Sequence, residues 1–228
     1  MEKMIAPELD RAHIEQLVGT KIGNIDLYRT AFTHKSALKQ YQLQNSYETL
    51  EFLGDAVLGF IVTKHLYDTY SSEQEGFLTK VRTKIVRGKT LADVARKLNL
   101  GSLVLMDDKG MRHEWYKNEK ILEDVFESFV GAVYLDLGVL WAREVVRRHV
   151  LSQDVNLTDD NYKDIVMRWC QAQHIALPIY QVTDTRNHVF HVTVQAADFE
   201  ASGTGKTKKE AEQDAARALM QDLKLSVD

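Results

Sequence analysis

Through residues 8 to 150 apolar side chains recur mostly at helical spacing, so this stretch reads as a run of helices with short connections. Leu91 to Leu100 is a clear case, with Gly101 placed to end it. Two segments differ because almost every face is apolar. One runs from Glu48 through Val62, the other from Ile121 to Gly138 with small residues at Gly131 and Ala132. Helices of this kind are expected to be buried. Asp107 to Lys117 is polar, has a glycine at 110 and reads as an exposed loop, with Trp115 as a half-packed loop aromatic.

Ser152 to Asp160 is polar and carries no core pattern, which marks a boundary: a first domain over 1–152, a linker over 153–158 and a second domain over 159–228. Beyond it the pattern changes. Tyr162 to His174 is helix-like. Ile179 to Thr185, Val189 to Gln195 and Asp198 to Ser202 read as short strands, with Phe190, Val192 and Val194 alternating on one face. Thr207 to Leu223 returns to a helix, opened by Thr207 and Glu210 at capping-box spacing.

The two apolar helices carry acids where acids are costly. Glu48, Glu51 and Asp55 stand at i, i+3 and i+7, on one stripe, and Asp124 and Glu127 stand at i, i+3 on the other helix. Buried carboxylates need cations or protons, and no basic residue lies between Glu48 and Val62. Two such helices facing each other would pool four carboxylates, an oxygen site suited to Mg²⁺ or Mn²⁺. Sites of that kind serve phosphodiester cleavage. The alternative is a pair of solvated acidic stripes, which the surrounding apolar density disfavours.

These residues carry a resemblance. Tyr47-Glu-Thr-Leu-Glu-Phe-Leu-Gly-Asp-Ala-Val-Leu58 resembles the signature of the ribonuclease III family of double-stranded-RNA endonucleases. Ala31-Phe-Thr-His-Lys-Ser36, Glu75-Gly-Phe-Leu-Thr79 and Asn118-Glu-Lys-Ile-Leu-Glu-Asp-Val-Phe-Glu127 resemble further pieces of it, in order. The second domain, in α-β-β-β-α order, resembles the family's double-stranded-RNA-binding domain. The resemblance therefore implies an all-α endonuclease domain followed by a small α+β domain. It implies a homodimer that cuts both strands of an RNA duplex and leaves 5′-phosphates, 3′-hydroxyls and short 3′ overhangs. Glu51, Asp55, Asp124 and Glu127 are the expected metal ligands, Asp55 and Glu127 the expected catalytic pair, and Mg²⁺ the expected ion, with Mn²⁺ able to substitute. Glu48 and Glu75 are acidic neighbours at or near that site. Metal-activated water would attack phosphorus, so no side-chain nucleophile is required, and His34 reads as a packed or capping histidine. A non-catalytic RNA-binding relative would be betrayed by loss of one of the four acids; all four are present.

RNA contacts are expected at two places. Gly203-Thr-Gly-Lys-Thr-Lys-Lys209 puts glycines and the cations Lys206, Lys208 and Lys209 at a helix start, where free N–H groups and the dipole favour phosphate. Lys80, Lys84 and Arg87 form a second basic stripe. Against the family's pattern, the first helix of the second domain has Asp164, Met167 and Arg168 at its usual contact places and keeps Gln171; His188 stands for the family's loop histidine. That departure implies weaker or altered binding.

Composition adds limits. Net charge is −4, with 21 basic and 22 acidic residues up to Thr158 and 8 and 11 after it. Neither half is basic, so RNA must be met by local patches. The single cysteine, Cys170, excludes internal disulfides and fits a reducing, cytoplasmic setting. Met1 to Gln16 is charged throughout, unlike a secretory signal, and no apolar run reaches membrane-span length.

Overall fold

The computed structural model describes residues 6–152, 162–186 and 189–224. The chain folds as two compact units, Met1–Val155 and Asn156–Asp228, each with its own core. The expected linker and His188 lie outside the described residues.

The first unit is helical: α1 (Arg11–Val18), α2 (Ile25–Ala31), α3 (Ala37–Tyr41), α4 (Glu48–Thr69), α5 (Glu75–Ile85), α6 (Gly88–Lys97), α7 (Asp108–Arg112), α8 (Glu119–Leu137) and α9 (Val139–Val146), which runs into a wide turn over Arg147–Leu151. The all-round apolar pattern of α8 has its expected consequence. Leu122, Val125, Phe126, Phe129, Val130 and Val133 are all buried, and α2, α4, α6 and α9 pack around it. Each buried Phe contributes roughly 1.5–3 kcal/mol. Asn118 opens α8 by accepting the Lys120 N–H at 2.8 Å, and Gly138, at φ 81°, ends it.

α4 and α8 cross at glycines. A Cβ on Gly54 would collide with the Glu127 carbonyl oxygen, and one on Gly131 with that of Leu50. Glycine at both places lets the two backbones touch, which sets the acid stripes side by side. α4 itself is not buried all round. Leu50, Val57, Leu58, Ile61, Val62 and Leu66 face the core, while Phe52, Phe60 and Tyr67 are 82%, 60% and 68% exposed.

Three other expectations change. Asp107–Lys117 is not a loop throughout: α7 is capped by Asp107, and a 3₁₀ turn spans Trp115–Lys117. Of Leu91–Leu100 only Leu91–Lys97 belongs to α6, which ends before Asn99 in the left-handed region (φ 53°), while Leu100 opens a 3₁₀ turn; Asn99 rather than Gly101 stops the helix. Lys80 and Lys84 lie on α5, but Arg87 is the N-cap of α6, so the three do not share one helix face.

In the second unit α10 (Tyr162–Ala172) and α11 (Lys208–Asp222) accompany an antiparallel sheet in the order β1 (Ile179–Arg186), β2 (Val189–Ala196), β3 (Phe199–Gly205). Val192 and Val194 of β2 are buried with Val166, Cys170, Ala215 and Leu219, as the alternation requires. The register pairs Val182 with Val192 and Val192 with Gly203. Among the described residues no helix is long and apolar enough to cross a membrane.

Candidate functional site

The crossing of α4 and α8 gathers oxygen ligands. One carboxylate oxygen each from Glu51, Asp124 and Glu127 lie within 4.8 Å of one another. They border an open cleft of about 370 Å³ lined by Glu48, Glu51, Phe52, Asp55, Lys120, Glu123 and Glu127. Burial is graded. Asp124 and Glu127 are 8% and 6% exposed, Glu51 is half-buried, and Glu48 and Asp55 are open to solvent. The acids on α8 therefore bear the desolvation, and those on α4 shape the rim.

The electrostatics follow from that burial. Glu127 is pushed up to about 8, first by burial, then by the Asp55 and Glu123 carboxylates. Glu51 is raised by burial and by Asp124. Beneath them Tyr47, itself buried, has its phenol raised by burial and then by Asp124, Glu51 and Glu48. The site is thus a pocket of negative potential, offset in part by the Lys120 ammonium on its wall. Asp124 Oδ1 is buried without a hydrogen-bond partner; Lys120 Nζ approaches it at 2.7 Å, but not with hydrogen-bond geometry. A buried carboxylate oxygen met only by an exposed lysine, beside two other carboxylates, is what a hard divalent cation would complete, so the residues fit such an ion.

The sequence-derived site residues divide accordingly. Glu51, Asp124 and Glu127 come together, and Asp55 lines the same cleft. Glu48 is also at the rim, but Lys35 at 3.1 Å and Ser46 at 3.1 Å hold its carboxylate, and these hydrogen bonds keep it below the usual range. Glu75 is not among the lining residues. It sits in the first turn of α5 and accepts from Thr79 Oγ1 at 2.8 Å. His34 is packed, as expected: its Nδ1 accepts the Ser36 N–H at 3.2 Å, its ring contacts those of Tyr47 and Trp115, and burial lowers its pKa. Two charged cleft residues were not singled out from sequence, Lys120 and Glu123. Both stand inside the quoted motif. Their signal is spacing, since Lys120 precedes Asp124 by one helical turn.

In the second unit Lys206, Lys208, Lys209 and Gln171 are all exposed. The capping box at α11 is present: Thr207 Oγ1 accepts the Glu210 N–H at 3.2 Å. The Glu210 carboxylate in turn takes the N–H groups of Lys206 and Thr207, at 2.9 and 3.3 Å. The capping box thus occupies the N–H groups of Lys206, Thr207 and Glu210, and the exposed ammoniums of Lys206, Lys208 and Lys209 stand beside that helix start. The glycines also have another task. A Cβ at Gly203 would collide with the Ala215 backbone, and one at Gly205 would lie 2.5 Å from Ala211 N, so both let α11 pack on β3. Asp164 is paired with Arg168 at 2.9 Å, so the two departures on α10 neutralise each other.

Comparison with known proteins agrees with this geometry. The Ribonuclease-III-like family pattern matches residues 24–154, and the double-stranded RNA binding motif matches residues 162–223. Ribonuclease 3 of Chlorobium chlorochromatii is 36% identical over 92% of this chain and 89% of its own length. A putative protein of Paramecium bursaria Chlorella virus 1 is also 36% identical, over 91% of this chain and 77% of its own. The nuclease domain of ribonuclease III from Campylobacter jejuni superposes with a TM-score of 0.58 at 33% identity, covering 62% of this chain and 96% of that one. With a family pattern over more than half its length and relatives aligned along nearly all of it, the chain belongs to the ribonuclease III family.

Proposed function

We propose that the chain is a metal-dependent endoribonuclease of double-stranded RNA, acting as a cytoplasmic homodimer in RNA processing or in degradation of small duplex RNAs. The observation that carries this reading is the meeting of Glu51, Asp124 and Glu127, with Asp55 on the same cleft, where α4 crosses α8. A divalent cation bound there would neutralise phosphate charge and make water a better nucleophile. The chain's own contribution is placement. Glu51, Asp55, Asp124 and Glu127 would hold the ion, the first, third and fourth converging and Asp55 reaching from the rim of the same cleft. Burial and the Asp55 and Glu123 carboxylates push Glu127 up to about 8, and a bound cation would offset that charge in place of a proton. Lys206, Lys208 and Lys209, with Gln171 and His188, would receive the duplex backbone.

A homodimer is supported by the outer face of α4. Phe52, Phe60 and Tyr67 expose large apolar rings along one helix beside the cleft, and monomeric proteins rarely leave such a patch uncovered. The Campylobacter jejuni nuclease domain is described as having a region involved in dimer formation. Two copies would set two clefts along one duplex and leave 5′-phosphates, 3′-hydroxyls and short 3′ overhangs.

Incubation with a long RNA duplex tests the reading. With Mg²⁺ or Mn²⁺ the duplex is expected to shorten to pieces with 5′-phosphates, and a single strand of the same sequence to survive. Undiminished cutting in excess chelator, or equal cutting of the single strand, would overturn it.

A further inference from the structure

One cation is already in the carboxylate cluster. Lys120 Nζ lies 2.7 Å from Asp124 Oδ1, 3.3 Å from Glu123 Oε2 and 4.0 Å from Glu51 Oε1. It therefore touches two of the three groups whose oxygens converge. Burial works against its charge, yet the Asp124 and Glu123 carboxylates hold the ammonium above its usual range. The lysine is not built in rigidly. Its side chain is 64% exposed, against 12% for Asp124, and its approach to Oδ1 lacks hydrogen-bond geometry. Glu123 offers it a second anchor outside the converging triad. That carboxylate rests against Gly88 at the start of α6, where an added Cβ would lie 2.5 Å from Glu123 Oε2, and where the helix N-terminus favours an anion.

A divalent ion held by Glu51, Asp124 and Glu127 would share Asp124 with this ammonium, and like charges held so close repel. We propose that the Lys120 ammonium is a resident counter-ion of the cluster, holding the cation's place at Asp124 and moving toward Glu123 when a divalent ion binds. Lys120 is then a positioning residue that sets metal affinity: it keeps the empty cluster from repelling itself, and the ion must displace it. This inference rests on the metal-site reading above. Its content is the sign of the effect. A lysine that merely braces Asp124 would strengthen metal binding, whereas a place-holder weakens it.

The test is Mn²⁺ titration of the full chain by calorimetry, without RNA, on the parent and Lys120→Met, which keeps the apolar stem and removes the charge. Melting in excess chelator and in saturating Mn²⁺ supplies a second readout. Lys120→Met is expected to bind Mn²⁺ roughly three- to tenfold more tightly, the scale of a lost partly exposed ion pair. It is also expected to melt lower than the parent in chelator and to recover in Mn²⁺. Equal or weaker Mn²⁺ binding by Lys120→Met would overturn the proposal while leaving the metal site standing. Absence of Mn²⁺ binding in the parent would overturn both. Should Lys120→Met fail to fold, Glu123→Gln decides, because removing the second anchor commits the ammonium to Asp124. It is expected to weaken Mn²⁺ binding in the parent but not in a Lys120→Gln background; an equal loss in both backgrounds would overturn the proposal.

Discussion

Glu127 carries the largest electrostatic load among the cluster acids, and that load has a thermodynamic consequence. Its carboxyl is raised from an ordinary 4.5 to about 8 by burial and by Asp55 and Glu123. Between those values the folded chain keeps a proton that the unfolded chain has released. Stability of the metal-free protein therefore falls as pH rises across that window. Glu51, raised by burial and by Asp124, acts in the same direction. Glu127→Gln removes the larger part of the effect. In excess chelator above pH 8 the variant is expected to be more stable than the parent by about 1–3 kcal/mol. The gap should close as pH falls toward 4.5. Denaturant midpoints across pH check this; equal midpoints at all pH values would contradict the burial account. At this scale the sequence spoke clearly on which acids mattered, because carboxylates on apolar helices are costly and i, i+3 spacing aligns them. It said nothing of the burial gradient from Glu127 to Asp55. Nor did it give the role of Lys120, which depends on where the start of α8 lies against α4 and α6.

Elements meet here through missing side chains. The α4–α8 crossing works because Gly54 and Gly131 let backbone lie on backbone, and the ligands stand on the residues beside that contact. Gly54→Ala must push α8 away at Glu127 itself. It is expected to cost about 1–3 kcal/mol or more of stability and to lower metal affinity with it. Gly76→Ala is the contrasting change, since nothing lies within 4 Å of a Cβ in the first turn of α5. That substitution is expected to stabilise by up to about 1 kcal/mol. Urea titration of both variants checks the pair, and a neutral Gly54→Ala would contradict the close-contact account. Helix and strand order was legible because both periods were strong, down to the alternation of Val192 and Val194. The break between α5 and α6 was not, because Lys80, Lys84 and Arg87 keep helical spacing across it. The glycines of β3 carry a packing role that spacing did not show, since Gly203 and Gly205 admit α11.

At the scale of the whole chain, a net charge of −4 leaves RNA no diffuse attraction to use. Affinity must come from clusters, and the exposed lysines at the start of α11 are the compact one in the second unit. Joint replacement of Lys206, Lys208 and Lys209 with Ala is expected to weaken duplex binding alike for unrelated sequences. It should also reduce the salt slope by up to roughly one log–log unit per lost phosphate contact. Binding unchanged at several salt concentrations would move the contact elsewhere, first to Lys80 and Lys84 on α5. Composition pointed away from nucleic acid because it averages over the chain, while the lysines act where they are grouped.

The central claim is that the α4–α8 carboxylates form the cutting centre and that duplex binding is carried by other surfaces. Single-turnover cleavage and equilibrium binding of one RNA duplex, measured side by side for the parent and Glu127→Gln in Mg²⁺, address it most directly. Glu127→Gln keeps the side chain's size and removes an anionic ligand. The expected result is a loss of cleavage on the order of a hundredfold or more with duplex affinity nearly unchanged. A variant that cuts at close to the parent rate would contradict the account, because Glu127 would then not be part of the cutting centre.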